Sequence, residues 1–233
     1  MAIRIIYDFE DLHKGGEVVI IGGGKSIAGL DLNRIQLPTI GMNNIFLTGY
    51  TPTYYCVEDW LVATDRQKEI EAVQTHRFYG SHLRDILHDG IWINSYMKTK
   101  YSNFPHFSED LNELYYTGGT VTYMALQIAF WMGFKTVYLI GIDHDYRIPK
   151  GYAERLREDI FVATEEDPNH FDPEYFGKGF RFHDPKPQRM EKAYQKAKLV
   201  FEENGRIIYN ATEGSKLEIF EKVPFDSITA PRN

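Results

Sequence analysis

Three consecutive glycines after an apolar run are the first residues of this chain that suggest chemistry. The run VVII at 18–21 reads as a buried strand, and GGGKS follows it. Glycines leave backbone N–H groups uncovered, so a phosphate or a ribose can approach them at a strand-to-helix turn. Lys25 would add a positive charge toward the phosphates, and Ser26 is a candidate N-cap for the next helix. The sequence therefore predicts a nucleotide-binding turn formed by Gly22, Gly23, Gly24, Lys25 and Ser26, with tight packing of the glycines as the alternative.

The glycine turn has the spacing of no standard phosphate-binding motif. A Walker A loop needs a glycine five positions before its Gly-Lys pair, where this chain has Val19. A Rossmann dinucleotide fingerprint counted from Gly22 and Gly24 needs its third glycine where this chain has Ile27. The turn by itself therefore does not say which nucleotide binds.

Polar side chains follow the next two predicted strands. Asn43 and Asn44 end the stretch GMNNIF, and their amides could read the edge of a base or a ribose. Glu58 and Asp59 end the stretch YYCVEDW, and could bind a substrate hydroxyl or a metal. The alternatives are an ordinary asparagine turn and solvated carboxylates.

The stretch GIDHDY ends another predicted buried strand with three potential ligands, Asp143, His144 and Asp145. Consecutive side chains on an extended chain point in opposite directions, so the three are not expected to bind one ion together. If Mg²⁺ takes part, we expect it to bridge a nucleotide diphosphate to Asp143 or Asp145. The alternative is that Asp143 caps the following turn.

A long segment near the end of the chain carries the remaining candidates. Residues 147–181 are rich in Pro, Gly, Asp and aromatic side chains and have no clean period, which predicts an irregular excursion. This segment could cover a bound substrate as a lid, or pack against a second copy of the chain. Its candidates, with those that follow it, are two histidines and three aspartates: His170, His183, Asp167, Asp172 and Asp184. Of the two histidines we expect His170 to be structural and His183, before the last helix, to be the general base.

The elements that must position these residues follow from the apolar pattern. Seven short runs, several of them apolar throughout, predict strands buried on both faces. They are Val18–Ile21, Pro38–Met42, Tyr54–Val57, Arg77–Tyr79, Ile91–Asn94, Val137–Ile142 and Arg206–Tyr209. Thr120–Met132 and Pro187–Glu203 have helical spacing of apolar residues. The alternation predicts one α/β domain over 1–233, a Rossmann-like three-layer sandwich with a mostly parallel sheet.

Composition narrows the class of partners. A net charge of −7 argues against nucleic acid as a partner. Cys56 is the single cysteine, so no disulfide can form within the chain, which suits a reducing cytoplasm. No run approaches the length of a membrane span, and the first residues do not resemble a signal peptide, so a cytoplasmic protein is expected.

The stretch YYTGGTVTYMALQIAFWMGFKTVYLIGIDHDY resembles two groups of proteins that look structurally related. One is the bacterial CMP-sialic-acid sialyltransferases, and the other is a domain group named after an archaeal 6-hydroxymethyl-dihydropterin diphosphokinase. IIGGGKSIAGLDL resembles their glycine turn, GMNNIF their asparagine-bearing second strand, and FRFHDPKPQRMEKAYQKAK the sialyltransferase segment in which a histidine precedes the last long helix. The resemblance runs in blocks from about residue 17 to 217.

The resemblance implies roles for individual residues. The nucleotide would be held by Gly22–Ser26 and Asn43, Gly118 and Gly119 would line the site, Tyr146 or Tyr152 would reach the phosphate, and His183 would be the base. The chain departs from the sialyltransferase pattern at four points. Gly23 replaces an asparagine, Lys25 a proline and Gly118 a serine, and Tyr146 lies one residue later than the tyrosine of the pattern. The resemblance therefore predicts the fold, but it does not identify the nucleotide or the sugar.

Three functions remain open at this point. The first is a nucleotide-dependent transferase that moves a sugar from a nucleotide-sugar to the hydroxyl of a small-molecule or glycan acceptor, with His183 as base. The second is a diphosphokinase that moves a pyrophosphoryl group from ATP to a pterin-like alcohol with Mg²⁺. The third is a nucleotide- or sugar-binding module of surface-polysaccharide synthesis that does not catalyse.

Overall fold

The computed structural model describes residues 5–98 and 103–229. Its strands are β1 Glu17–Ile21, β2 Thr39–Met42, β3 Tyr54–Val57, β4 His76–Gly80, β5 Ile91–Ile93, β6 Ser95–Tyr96, β7 Tyr115–Tyr116, β8 Thr136–Ile140, β9 Ala153–Arg157, β10 Ile160–Ala163, β11 Arg181–His183, β12 Ile207–Asn210 and β13 Glu221–Lys222. Its helices are α1 Trp60–Asp65, α2 Gln67–Ala72, α3 Val121–Trp131, α4 Pro187–Glu203 and α5 Asp226–Thr229. All seven predicted strands are present, as are both predicted helices.

Eight of these strands form one parallel sheet in the order β13-β12-β8-β1-β2-β3-β4-β5. The chain adds strands on one side of β1 from β2 to β5, and later strands are added on its other side, starting with β8. The strand order therefore reverses between β1 and β8. In open sheets of this kind, the crevice at such a reversal is where ligands bind.

The hydrophobic core is divided into two clusters, one on each face of the sheet, because the strands are apolar on both faces. Val18 and Ile20 of β1 face the cluster that contains α3 and α4, whereas Val19 and Ile21 face the cluster that contains α1. Successive strand residues point to opposite faces, so a continuous apolar run needs a layer of structure on each side. The predicted three-layer α/β sandwich is confirmed. Within the part of the chain that the structure covers, no helix has the length and apolar character required to cross a bilayer.

The 147–181 segment is more regular than its sequence suggests. It contains β9 and β10 and leads into β11, which together form an antiparallel sheet in the order β11-β10-β9. The segment has its own small core, in which the Phe182 ring stacks between those of Tyr152 and Phe161. The sequence pattern failed here because β9 is almost entirely exposed and carries charges on both faces, so it has no apolar alternation.

Candidate functional site

A pocket of about 460 Å³ opens at the carboxyl ends of the central strands. Its walls are the glycine turn, the residues after β2, β3 and β8, the start of α3, the 147–181 segment and the residues that lead into α4. Most of the candidate residues line this pocket: Gly22, Gly23, Gly24, Asn43, Glu58, Asp59, Gly119, Asp143, His144, Asp145, Tyr146, Tyr152, His170, His183 and Asp184. The candidates outside its lining are Lys25, Ser26, Asn44, Gly118, Asp167 and Asp172. Its size suits a nucleotide-sized ligand.

The glycines of the turn are packed against other parts of the protein. A Cβ on Gly22 would overlap Ile142 after β8, and a Cβ on Gly23 would come within 2.6 Å of the Tyr175 ring. Tyr175 belongs to the 147–181 segment, which therefore covers part of the turn. The alternative weighed from the sequence, tight packing, accounts for these two glycines without a ligand.

Gly24 packs against Asp143, and Ser26 is hydrogen-bonded to it. A Cβ on Gly24 would overlap the Asp143 carboxylate, which accepts hydrogen bonds from the Ser26 backbone N–H at 2.9 Å and from its hydroxyl at 2.5 Å. The expectation that Ser26 caps a helix was wrong, because only a short 3-10 turn, Lys25–Ile27, follows, with Gly24 at its N-cap. Asp143 lies at the carboxyl-end edge of the sheet, as expected, and it joins the turns after β1 and β8.

Two cations other than Lys25 line the pocket. Lys25 is exposed on the turn and outside the pocket lining. Lys186 and Arg189, at the start of α4, do line the pocket, and the Arg189 guanidinium packs on Gly119, whose φ is +84°. Gly118 lies behind this loop, against Tyr123. Sequence reasoning missed both cations, although their place shortly after His183, at the start of the predicted last helix, was a usable signal.

We expect Lys25→Ala to leave nucleotide affinity within about twofold of wild type, and Arg189→Ala to weaken it by about tenfold or more. A hydrogen bond to a charged group contributes about 1.5–3 kcal/mol to binding. Of the two side chains changed here, Arg189 lines the pocket and Lys25 does not. Isothermal titration of both variants with the nucleotide that binds wild-type protein measures the difference. Equal losses in the two variants would mean that Lys25 reaches the phosphate.

The two asparagines after β2 have different surroundings. Asn44 is buried and its amide donates to the Tyr175 carbonyl at 2.9 Å, so it holds the 147–181 segment to the sheet. Asn43 lines the pocket in a left-handed conformation, with φ of 48°, which asparagine tolerates better than most residues. Of this pair, only Asn43 is placed to contact a ligand.

His183 lies in the pocket between two carboxylates. Its Nε2 is 3.6 Å from Asp59 Oδ1 and its Nδ1 is 3.7 Å from Asp159 Oδ2. The strand β11 ends at His183, which pairs with Ile160 of β10, so the antiparallel sheet holds its backbone. Lys186 is the N-cap of α4 and makes no side-chain capping bond, so His183 does not serve as the helix cap. Asp159 was not among the residues selected from the sequence.

Asp59 has two roles at the end of β3. Its carboxylate accepts from the Leu61 N–H at 2.8 Å and so caps α1, and it also faces the His183 imidazole. Burial raises the pKa of Asp59, and the charge of His183 partly offsets that effect. The imidazole thus faces a carboxylate that is itself held at the N-terminus of α1.

Glu58 is a buried carboxyl group at the same edge. Burial, with a smaller contribution from Asp59, raises its pKa to about 8, although Arg189 acts in the other direction. Among the described residues, its Oε2 has no hydrogen-bond partner. At neutral pH Glu58 is therefore mostly a neutral acid that can donate a hydrogen bond into the pocket.

The raised pKa of Glu58 predicts how stability depends on pH. The folded protein holds this proton more tightly than the unfolded chain, so Glu58 costs nothing below its ordinary pKa of 4.5 and destabilises the fold progressively up to about pH 8. Glu58→Gln should therefore reduce the loss of melting temperature across that range and melt above wild type at high pH. A melting profile with the wild-type slope would contradict this expectation.

The two candidate tyrosines also differ. The Tyr152 hydroxyl donates to the Phe176 carbonyl at 3.1 Å and its ring stacks in the small core of the 147–181 segment, so it supports that segment. Burial, with a contribution from Tyr194, raises the pKa of Tyr146, which keeps its hydroxyl protonated as a donor. Tyr146 is therefore the better placed candidate for a phosphate contact.

The proposed metal ligands do not converge. Asp145 is exposed and pairs with Arg147 at 2.6 Å, while Asp143 is held by the glycine turn. His144 Nε2 is 3.1 Å from Glu191 Oε1. Within the described residues, no group of three or more His, Cys, Asp or Glu side chains is placed to hold a metal ion. These residues do not fit a protein-held metal centre.

Comparison with known proteins gives one finding. A family model described as 6-hydroxymethylpterin diphosphokinase MptE-like matches residues 42–149, which is less than half of the chain. The resemblance to that domain group is thereby confirmed from the end of β2 to the residues after β8. Neither the curated proteins nor the solved structures contain a significant match.

Proposed function

We propose that the protein is a nucleotide-dependent transferase that moves a sugar from a nucleotide-sugar to an acceptor hydroxyl. The observation that carries this proposal is His183, an imidazole held between Asp59 and Asp159 in the pocket at the sheet's reversal point. A general base must reach the proton that it removes and must be oriented to accept it, and this placement supports both requirements. The acceptor is a small molecule or a glycan that supplies the hydroxyl.

The reaction needs a base on the acceptor and donors on the leaving group. His183 would take the hydroxyl proton as the acceptor oxygen attacks the sugar carbon, and the bond to the nucleotide phosphate would break. Negative charge then grows on that phosphate, where donors stabilise it. Arg189, Lys186 and the Tyr146 hydroxyl are the donors in the pocket lining that suit this task.

The alternative function is a diphosphokinase, which the family match over residues 42–149 favours. It would move a pyrophosphoryl group from ATP to a pterin-like alcohol, and Mg²⁺ bound to the nucleotide would supply charge neutralisation. Two observations favour sugar transfer over it. His183 lies outside the matched residues, and the candidate carboxylates Asp143 and Asp145 are engaged with other partners.

A ligand panel tests the proposal. Thermal shift with CMP, UDP, GDP, ATP and 6-hydroxymethylpterin, each with and without Mg²⁺, should give stabilisation by a pyrimidine or guanine nucleotide that needs no Mg²⁺. Stabilisation only by ATP with Mg²⁺ would instead support the diphosphokinase. Turnover assays with the corresponding nucleotide-sugars follow, and nucleotide binding without turnover on any acceptor would identify a non-catalytic module.

A further inference from the structure

A second imidazole and carboxylate pair lies in the segment that covers the glycine turn. His170 Nδ1 is 2.7 Å from Asp167 Oδ2, and the Asp167 side chain is fully buried, with 0% of its surface exposed. The His170 side chain is 19% exposed and lines the pocket, on the wall formed by the 147–181 segment. Within the pair, the aspartate is therefore buried and the histidine lines the pocket.

The carboxylate of this pair is held in its ionised form. Burial alone would raise the pKa of Asp167, but the hydrogen bonds from His170 and from the backbone of Asn169 and Phe176 more than offset it and lower the pKa. An ionised carboxylate accepts, so the His170 nitrogen that faces it must carry a proton. Nδ1 is therefore the donor within the pair, and Nε2 is the nitrogen left for a ligand.

The ring of His170 is fixed beside the reversal point of the sheet. It stacks on Tyr175 with ring centroids 3.9 Å apart and planes 4° apart, and Phe176 packs edge-on against it at 5.2 Å. The backbone of His170 forms a β-bridge with Gly24, and the adjacent Phe171 N–H donates to the Gly23 carbonyl at 3.1 Å. A ring fixed in this way is preorganised for a group bound near the turn.

We propose that His170 is a second catalytic residue, which donates from Nε2 to the leaving phosphate of the donor. This proposal rests on the transferase function above. His183 accepts the acceptor proton, the new bond to the acceptor oxygen forms, and the bond to the phosphate oxygen breaks with its electron pair on that oxygen. The Nε2 proton of His170 then hydrogen-bonds to that oxygen or transfers to it, while Nδ1–H stays with Asp167.

The two histidines would act in opposite protonation states. His183 must be neutral to accept a proton, and His170 must be charged to donate one, so activity requires both conditions at once. The ionisable groups in contact with His170 are Asp167 and Tyr175, both on its own segment. Gly24, which bridges to the His170 backbone, packs against the Asp143 carboxylate.

The test uses inorganic pyrophosphate as the probe, so that it does not depend on the identity of the nucleotide. In protein labelled with ¹⁵N-histidine, pyrophosphate should shift the Nε2 resonance of His170. The matched signal is His88, an exposed histidine 2.8 Å from the Glu71 carboxylate and outside the pocket, which should not move. This measurement uses the wild-type chain and does not depend on whether a variant folds.

Variants then measure the contribution of the ring. His170→Phe keeps the stack on Tyr175 and removes both nitrogens, and it should weaken pyrophosphate binding by about tenfold or more. Glu174→Gln, an exposed change on the same segment, should leave binding unchanged. An unmoved His170 resonance, equal affinity in the two variants, or the absence of pyrophosphate binding would overturn the proposal.

The outcomes separate this proposal from the proposed function. A His170 signal that responds to pyrophosphate in a protein without transferase activity would support the phosphate contact and refute the function. Transferase activity that is unchanged in a folded His170→Phe variant would support the function and refute the role of His170.

Discussion

Replacing His183 by alanine is expected to lower turnover by about 10²- to 10⁴-fold, the usual contribution of a positioned general base. The imidazole sits between Asp59 and Asp159, at 3.6 and 3.7 Å, and lies in the pocket where the acceptor hydroxyl would bind. Nucleotide affinity should change little, because the expected phosphate contacts come from other residues. Turnover and nucleotide binding are to be measured on the same preparation, so that loss of chemistry is distinguished from loss of binding.

His88→Ala is the matched control for that experiment. His88 also pairs with a carboxylate, Glu71, but lies outside the pocket lining. It should keep wild-type turnover, and its melting temperature should remain close to that of wild type. A folded His183→Ala protein with full activity would show that the imidazole only joins β11 to the end of β3.

The second large effect is expected at Gly24, where a valine should destabilise the fold by about 1–3 kcal/mol, the usual range for overpacking. The added Cβ would overlap the Asp143 carboxylate and displace it from Ser26, so the hydrogen bonds between the turns after β1 and β8 would be lost as well. In a chain of this length that cost lowers the melting temperature by about 2–12 °C. Thermal and chemical denaturation of the variant measure it.

Lys25→Ala supplies the comparison for Gly24→Val. Lys25 is the next residue of the same turn, but it is exposed, so its removal should change stability by less than about 0.5 kcal/mol. A Gly24→Val protein with wild-type stability would mean that the turn can move away from Asp143, and a loss of nucleotide affinity in that protein would then place a ligand on the turn. Packing against Asp143 already requires a glycine at this position. A loss of nucleotide affinity in a destabilised Gly24→Val protein would therefore not show that a ligand binds the turn.

Local sequence determined the class and layout of the fold. Each predicted strand is present, because continuous apolar runs such as the one at 18–21 satisfy both faces of a buried parallel sheet. The helix Pro187–Glu203 matches its prediction at both ends, since its apolar stripe and the following glycine are local signals. The exposed strand β9 was missed, because its charged residues carry no such period.

Sequence reasoning also located the edge of the sheet at which the site lies. Residues that follow parallel strands meet at one edge, so Asn43, Asp59 and Asp143 were brought together by topology alone. His183 was selected from its place between the irregular segment and the last helix, together with a resemblance, and it too lines the pocket. The role of each of these residues stays a prediction until the variants are measured.

Tertiary contacts alone decided what each of these side chains faces. The glycines are filled by Tyr175 and Asp143, more than a hundred positions away, and no local pattern reports such a partner. The same holds for Asp159 beside His183 and for Arg189 against Gly119. Arg189 lines the pocket, whereas Lys25 does not. Local propensity depends on neighbours along the chain. The charge and shape of this pocket depend instead on which distant segments fold against each other, here the 147–181 segment over the carboxyl ends of the strands.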